Sequence, residues 1–449
     1  MDPLRSPLLT DLYQLTMLQT YLERGMTQTA VFEFFVRKLP EGRGFLLAAG
    51  LEQALEFLEG LRFHEEELEW IRQSGKFASD FADHLEGMRF TGEVHAVPEG
   101  TPCFADTPML QVVAPLPVAQ LVESRLINLL HFQTLIASKA IRCVLAAPDR
   151  LLVDFGMRRA HGAEAGLLAA RACYLAGFAG SATVLAAPCH GVPVFGTMAH
   201  SFILAHESET EAFEAFARSH PDNVVLLIDT WDTERAAHKV VGLAPRLAEA
   251  GIRIKAVRLD SGDLVQHARK VRRILDEGGL EDTGIFCSGN LDEYRVAELL
   301  AEQAPIDGFG IGTRLDTSAD APYLDSAYKL VAYAGRPVRK RSEGKATWPG
   351  RKQVWRSLDA EGRWQNDVLD LAEETHPGSP LLQPVMRAGE RIAPPESLDA
   401  IRNRVRREVW RLPEAALRIH APEAPRVVPG PRLVALARQL DAEVSARSD

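Results

Sequence analysis

One histidine and a set of acids, arginines and glycines stand where apolar runs end, and together they read as one active site. In Gly196-Thr197-Met198-Ala199-His200-Ser201, small residues follow an apolar run and present His200 beside Thr197 and Ser201. A histidine there can serve as a base or as a nucleophile toward phosphorus. Ile228-Asp229-Thr230-Trp231-Asp232 ends the next apolar run, so Asp229 is expected to meet His200. A carboxylate bonded to one ring nitrogen fixes the tautomer and makes the other nitrogen more basic.

Four further turns carry the rest of the constellation. Asp154-Phe155-Gly156-Met157-Arg158-Arg159 offers an aromatic face, a close approach and a guanidinium, which suits a flat anionic ring. Val257-Arg258-Leu259-Asp260-Ser261-Gly262-Asp263 places a cation and two carboxylates around a tight turn. Asp260 suits the vicinal hydroxyls of a ribose, and Asp263 suits either that or the commoner work of capping the next helix. Ser288-Gly289-Asn290 and Gly310-Ile311-Gly312-Thr313 are glycine turns of the kind that hold phosphate on backbone N–H groups.

These turns need a scaffold that gathers strand ends. From about residue 150, apolar runs at 151–155, 183–186, 192–196, 224–229, 252–259, 285–288 and 308–312 alternate with helical periods. Repeated βα units predict an α/β fold, an irregular barrel with a parallel sheet and its site at the strands' carboxyl ends. The runs 183–186 and 192–196 lie too close for a helix between them, so the irregularity is expected there. Segment 1–135 mixes helical and strand patterns. Strands are expected at 30–36 and across 94–116, with helices over 8–24, 50–61 and 121–146. After 335 the alternation stops: 336–356 is basic and reads as two or three antiparallel strands, prolines crowd 377–431, and 432–444 is an amphipathic helix. The expected division is therefore 1–135, 136–335 and 336–449, the last packing back on the first.

Composition narrows the class. A formal charge of −10 argues against a nucleic-acid binder, whose footprint would be basic. Arginine greatly outnumbers lysine, which suits bidentate anion recognition, although GC-rich codon usage is the commoner cause of such an excess. Five scattered cysteines form neither a disulfide framework nor a zinc motif. The amino terminus lacks a signal pattern and no apolar run approaches a membrane span, so a cytoplasmic enzyme with no membrane partner is expected.

Taken in order, the motifs resemble the nicotinate phosphoribosyltransferase family. The resemblance runs from Thr10-Asp11-Leu12-Tyr13-Gln14, Phe32-Glu33-Phe34 and Phe132-Gln133-Thr134-Leu135 through the six turns above to Tyr328-Lys329-Leu330. It implies an α/β lobe built from both chain ends plus an irregular TIM-like α/β barrel. It also implies attack of nicotinate on phosphoribosyl pyrophosphate, with Mg²⁺ held mainly by substrate phosphates, and ATP hydrolysis coupled through a phosphohistidine at His200. Tyr13, Phe155, Arg158, Thr197 and Arg258 match nicotinate positions, and Asp260, Ser288, Gly289, Gly312 and Thr313 match ribose and phosphate positions. Tyr13 is expected to reach the pocket of the other copy in a homodimer with shared sites.

The nearest alternative is the nicotinamide-specific relative, which carries an aspartate after the Gly-Thr turn. Here that position is Met198, and a carboxylate there would repel an ionised nicotinate. A quinolinate enzyme would need more cations for a dicarboxylate, and a non-catalytic sensor would be marked by loss of His200 or Arg258. The cysteine cluster that binds zinc in some members' tails is absent, and Ala327 precedes Tyr328-Lys329-Leu330.

Overall fold

The computed structural model describes residues 2–448, which form two compact units. The first joins Met1–Ser138 to Tyr323–Asp449, and the second is Lys139–Pro322.

The first unit is built on a seven-stranded antiparallel sheet in the order Arg336–Pro337, Ser326–Tyr333, Thr29–Val36, Leu110–Pro115, Glu93–Ala96, Gln383–Arg387, Glu390–Arg391. Thr29–Val36 is inner and buried at every position but the first, hence its unbroken apolar run. Its one acid, Glu33, is matched at 2.7 Å by Lys352 Nζ and accepts from Gln111 Nε2 at 2.7 Å. Strand Ser326–Tyr333 pairs with Thr29–Val36, so it lies in this sheet and not with the 136–335 segment in which the sequence division put it. The basic stretch 336–356 is mostly loop between Arg336–Pro337 and Lys352–Leu358. A helix, Leu398–Val409, stands inside the proline-rich region, where none was expected. Ser397 caps it by accepting from Ala400 N, and Ile401, Val405 and Val409 form its buried stripe.

The second unit holds a six-stranded parallel sheet, labelled here in chain order: β1 (Leu151–Asp154), β2 (Gly180–Ser181), β3 (Val224–Leu227), β4 (Ile254–Leu259), β5 (Gly284–Cys287) and β6 (Gly308–Ile311). Their spatial order is β2-β1-β6-β5-β4-β3, a half-barrel whose end strands share no ladder. Intervening helices include α1 (Ala163–Ala176), α2 (Thr233–Glu249), α3 (Leu264–Glu277) and α4 (Glu293–Ala301). The expected strands at 183–186 and 192–196 are not formed. The strand at that place is β2, a short helix Ala186–His190 follows it, and 192–196 contributes only the bridge between Ser181 and Val194. Proline explains the loss: Pro193 accepts from Ser181 N at 3.1 Å but has no N–H of its own to donate. Val194 is accordingly exposed.

One correction concerns apolar length. Helix Glu123–Ala146 is long and apolar enough to cross a membrane by length and composition. Its Leu126, Leu129, Ile136, Ala137 and Ile141 are buried within the protein, which is what a core helix requires.

Candidate active site

The second unit gathers five of the six motif turns at the carboxyl ends of its strands, and Arg258 on β4 is their hub. Its Nε donates to Ser288 Oγ at 2.9 Å, and one terminal nitrogen donates to Asp260 Oδ1 at 2.7 Å. The other terminal nitrogen donates to Thr197 Oγ1 at 3.2 Å and to the Met198 carbonyl at 3.3 Å. The guanidinium also lies 5.5 Å from the centre of the Phe155 ring, within cation–π range. A lysine could not make these contacts, because they use the planar fork in several directions at once.

Asp260 completes the hub. Its Oδ1 also accepts from Ser288 Oγ. Burial pushes its carboxyl up, but the Ser288 hydroxyl and the Arg258 guanidinium outweigh burial and hold it below the usual range. Gly289 has φ +95°, and a Cβ there would overlap the Asp260 carbonyl, so the 288–290 turn packs directly on the 260 turn. Asp263 accepts from Gln266 N at 3.1 Å and so takes the capping role.

His200 sits at the start of the short helix His200–Leu204 with its side chain part-exposed. Its geometry departs from expectation. Asp229 Oδ1 stands 3.9 Å from Nε2, beyond hydrogen-bond length, and the ring's partner is Thr230 Oγ1, 3.2 Å from Nδ1. Asp229 spends its other oxygen on the 260 turn, accepting from Asp260 N at 2.9 Å and Ser261 Oγ at 2.7 Å. Its Oδ1 is buried and receives no hydrogen bond. Thr230 was not singled out, although it adjoins Asp229 in the same turn.

Phe155 is half-buried, with its ring 5.8 Å from that of Phe286. Arg158 is exposed in the single turn Met157–Arg159, and Ser201 and Thr313 are exposed as well. Gly312 abuts the Phe155 carbonyl, where a Cβ would come within 2.8 Å. Met198 is buried, so its side chain adds no acid to the ring region. Tyr13 belongs to the first unit, exposed in the first turn of helix Leu12–Glu23, and is not among the residues gathered here.

Two cavities open on these residues. One of about 560 Å³ is lined by Asp260, Ser261, Gly289, Asn290, Asp292 and Arg314, and the other, about 390 Å³ and mostly apolar, by Phe155, Thr197 and Phe286 together with residues at the strands' amino ends such as Leu151, Lys255, Gly284 and Asp307. Arg314 and Asp292 were missed by sequence reasoning. Asp292 caps α4 by accepting from Arg295 N at 2.9 Å and holds Arg314 at 2.6 Å, which leaves a fixed cation beside the Gly312-Thr313 turn. The position of Arg314, directly after that turn, was a usable signal. A polar cavity rimmed with cations and glycine turns suits a phosphorylated sugar, and an apolar one beside a cation-backed phenyl ring suits a small aromatic acid.

Comparison with known proteins agrees along the chain. Residues 8–131 match the nicotinate phosphoribosyltransferase N-terminal domain, 151–347 the nicotinate phosphoribosyltransferase family and 378–434 its C-terminal domain. Nicotinate phosphoribosyltransferase pncB2 of Mycobacterium tuberculosis is 51% identical over 409 residues, 90% of this chain and 87% of its own. The Bacillus subtilis nicotinate phosphoribosyltransferase is 39% identical over 376 residues, 81% of this chain and 76% of its own. The crystal structure of human nicotinic acid phosphoribosyltransferase superposes with a TM-score of 0.85 at 31% identity, covering 96% of this chain and 99% of that one. With all three segments matched and relatives this similar over most of its length, the chain belongs to the nicotinate phosphoribosyltransferase family.

Proposed function

We infer that this chain joins nicotinate to phosphoribosyl pyrophosphate, giving nicotinate mononucleotide and pyrophosphate. The observation that carries the reading is the Arg258 hub, where one guanidinium touches the ring-side residues Phe155 and Thr197 and the sugar-side residues Asp260 and Ser288. In the reaction the pyridine nitrogen's lone pair forms the bond to the anomeric carbon as the carbon–oxygen bond to pyrophosphate breaks. The leaving group takes that electron pair, and the sugar passes through an oxocarbenium-like state. Phe155 and Arg258 hold the ring and its carboxylate in line, while Asp260 receives the ribose hydroxyls and tempers the developing positive charge. Arg314 and the glycine turns receive phosphate.

No group of three or more metal-ligating side chains occurs among the described residues, and Asp260 and Asp292 are already engaged by arginines. A Mg²⁺ ion fits this set if most of its ligands are phosphate oxygens, where it would offset charge on the leaving pyrophosphate.

The ATP-linked part of the proposal rests on His200. With Nδ1–H donated to Thr230 Oγ1, Nε2 keeps its lone pair and a part-exposed face. It attacks the terminal phosphorus of ATP, ADP leaves with the bridging oxygen, and water later releases the phosphoryl group. That cycle would favour the substrate-binding state. The expected assembly is a homodimer in which Tyr13 of one copy reaches the ring pocket of the other. The five cysteines are all free thiols, in keeping with a cytoplasmic setting.

Mass spectrometry of product from nicotinate and phosphoribosyl pyrophosphate, with and without ATP and against nicotinamide, tests the whole reading. Nicotinate mononucleotide with ATP-stimulated yield is expected, and product from nicotinamide alone would reject the substrate assignment. His200→Ala is expected to abolish the ATP stimulation while slow ATP-independent synthesis persists. Complete loss of synthesis in a folded variant would make His200 part of the bond chemistry instead.

A further inference from the structure

Directly below the ring turn lie two carboxyls that the mechanism above does not use. Asp154, the last residue of β1, and Asp316, in the helical turn Thr313–Asp316 that follows β6, are both essentially inaccessible to solvent. Their strands pair in register, Ile311 with Asp154, and Phe155 N donates to the Ile311 carbonyl at 2.8 Å. Asp154 is well supplied with donors: Oδ1 accepts from Gly156 N at 2.7 Å and Oδ2 from Ser181 Oγ at 2.6 Å. Asp316 receives none at either oxygen. Its carboxyl rests against Gly156 so closely that a Cβ there would overlap it.

Two ionised carboxylates cannot share a dry site without a cation, and among the described residues none acts on either group. The other titratable neighbour is Cys173 on α1, whose thiol is pushed well above its ordinary range by burial and then by the two acids, so it stays neutral. The donor-less member carries the proton, and Asp154 stands within hydrogen-bond reach of it as acceptor. Burial, and then the Asp154 charge, push the Asp316 carboxyl well above the usual range, which agrees with the geometry.

We propose that Asp316 and Asp154 share one proton, and that this pair is the positioning device that fixes the ring turn at 155–159 to the phosphate turn at 310–313. Asp154 holds Gly156 from below, Asp316 fills the space a side chain at 156 would need, and the shared proton joins the two. The proposal builds on the assignment of Phe155 to the nicotinate ring. It gives the pair no contact with substrate.

Two measurements test it. Infrared spectroscopy of the full chain carrying ¹³C-labelled aspartate is expected to show a buried carboxylic-acid carbonyl band at neutral pH. The band should vanish in Asp316→Asn and survive in Asp260→Asn. Its absence from the wild type, its survival in Asp316→Asn, or its appearance only after chelation of a cation would each overturn the shared proton. In kinetics, Asp316→Leu removes the shared proton and with it the link between the two turns, and is expected to raise KM for nicotinate about tenfold or more, with a smaller change in kcat. Asp316→Asn restores the donor and should stay within about threefold of wild type. Wild-type KM with lower kcat in both variants would mean a merely structural pair. If Asp316→Leu does not fold, the infrared result and the Asn variant decide alone. If the chain does not use nicotinate, the proposed function fails and the infrared band still tests the proton.

Discussion

Two acid clusters stand at the carboxyl ends of strands in the parallel unit, and they manage buried negative charge by opposite means. Asp260 is open on one side and paired with Arg258 and Ser288, so its carboxyl is held ionised. Asp154 and Asp316 are sealed from solvent with no cation, so one of them is held neutral by a proton. The first arrangement leaves a charge available to a ligand. The second removes charge and keeps geometry. Where an acid must meet a substrate the fold supplies a cation, and where it must only hold a turn a proton suffices.

The sharpest way to break the contrast is to remove the cation. Arg258→Ala leaves Asp260 uncompensated and empties the link between ring and sugar residues, and kcat/KM should fall on the order of 100- to 1,000-fold. Arg258→Lys should recover little of that, because an ammonium cannot span the same partners. Gly156→Ala attacks the second cluster without altering any charge. Its Cβ would collide with the Asp316 carboxyl, so a loss of about 1–3 kcal/mol in stability and a higher KM for nicotinate are expected from denaturant titration and steady-state kinetics.

The clusters should also separate by pH in thermal melts. Asp260 binds its proton more weakly folded than unfolded, so its contribution is present above the unfolded pKa of about 3.9 and is lost as pH falls through the lower folded value. Asp316 binds its proton more tightly when folded. Stability therefore falls as pH rises from about 3.9 toward its raised folded value. Asp260→Asn should melt below wild type at neutral pH and converge with it in acid, whereas Asp316→Asn should gain on wild type as pH rises. Differences of roughly 2–4 °C per kcal/mol would be read for units of this size. Asp263→Ala sets the floor, since that carboxylate only caps α3. About 1 kcal/mol of stability and less than about a twofold change in kcat/KM are expected.

Much of the site was legible because it is written locally. Each of the turns 154–159, 258–263, 288–290 and 310–313 follows its own strand, and alternating runs bring strand ends together whatever the detail between them. What escaped depends on contacts across the fold. Asp316 and Asp154 meet through neighbouring strands far apart in sequence, so no spacing announces them. His200 was matched to Asp229 by strand order, yet the side chains settled on Thr230 and the 260 turn, a choice made by a few ångströms of backbone. Pro193 was visible, but the apolar residues around it outweighed its missing donor. In the proline-rich tail the opposite error occurred: punctuation hid the Ile401, Val405, Val409 stripe of a capped helix.

The pairing of Thr29–Val36 with Ser326–Tyr333 carries a consequence for biosynthesis. One edge of that inner strand waits for a partner about 290 residues on, beyond the whole inserted parallel unit. At ribosomal rates of about 5–20 residues per second, that edge stands unpaired for roughly 15–60 s on every nascent chain. The parallel unit is complete in the meantime, so the sheet around Thr29–Val36 is among the last parts to finish folding. A nascent chain stalled before residue 326 would present an apolar strand edge to its neighbours on the polysome, which makes the end of the insertion the point at which a chaperone has most to do.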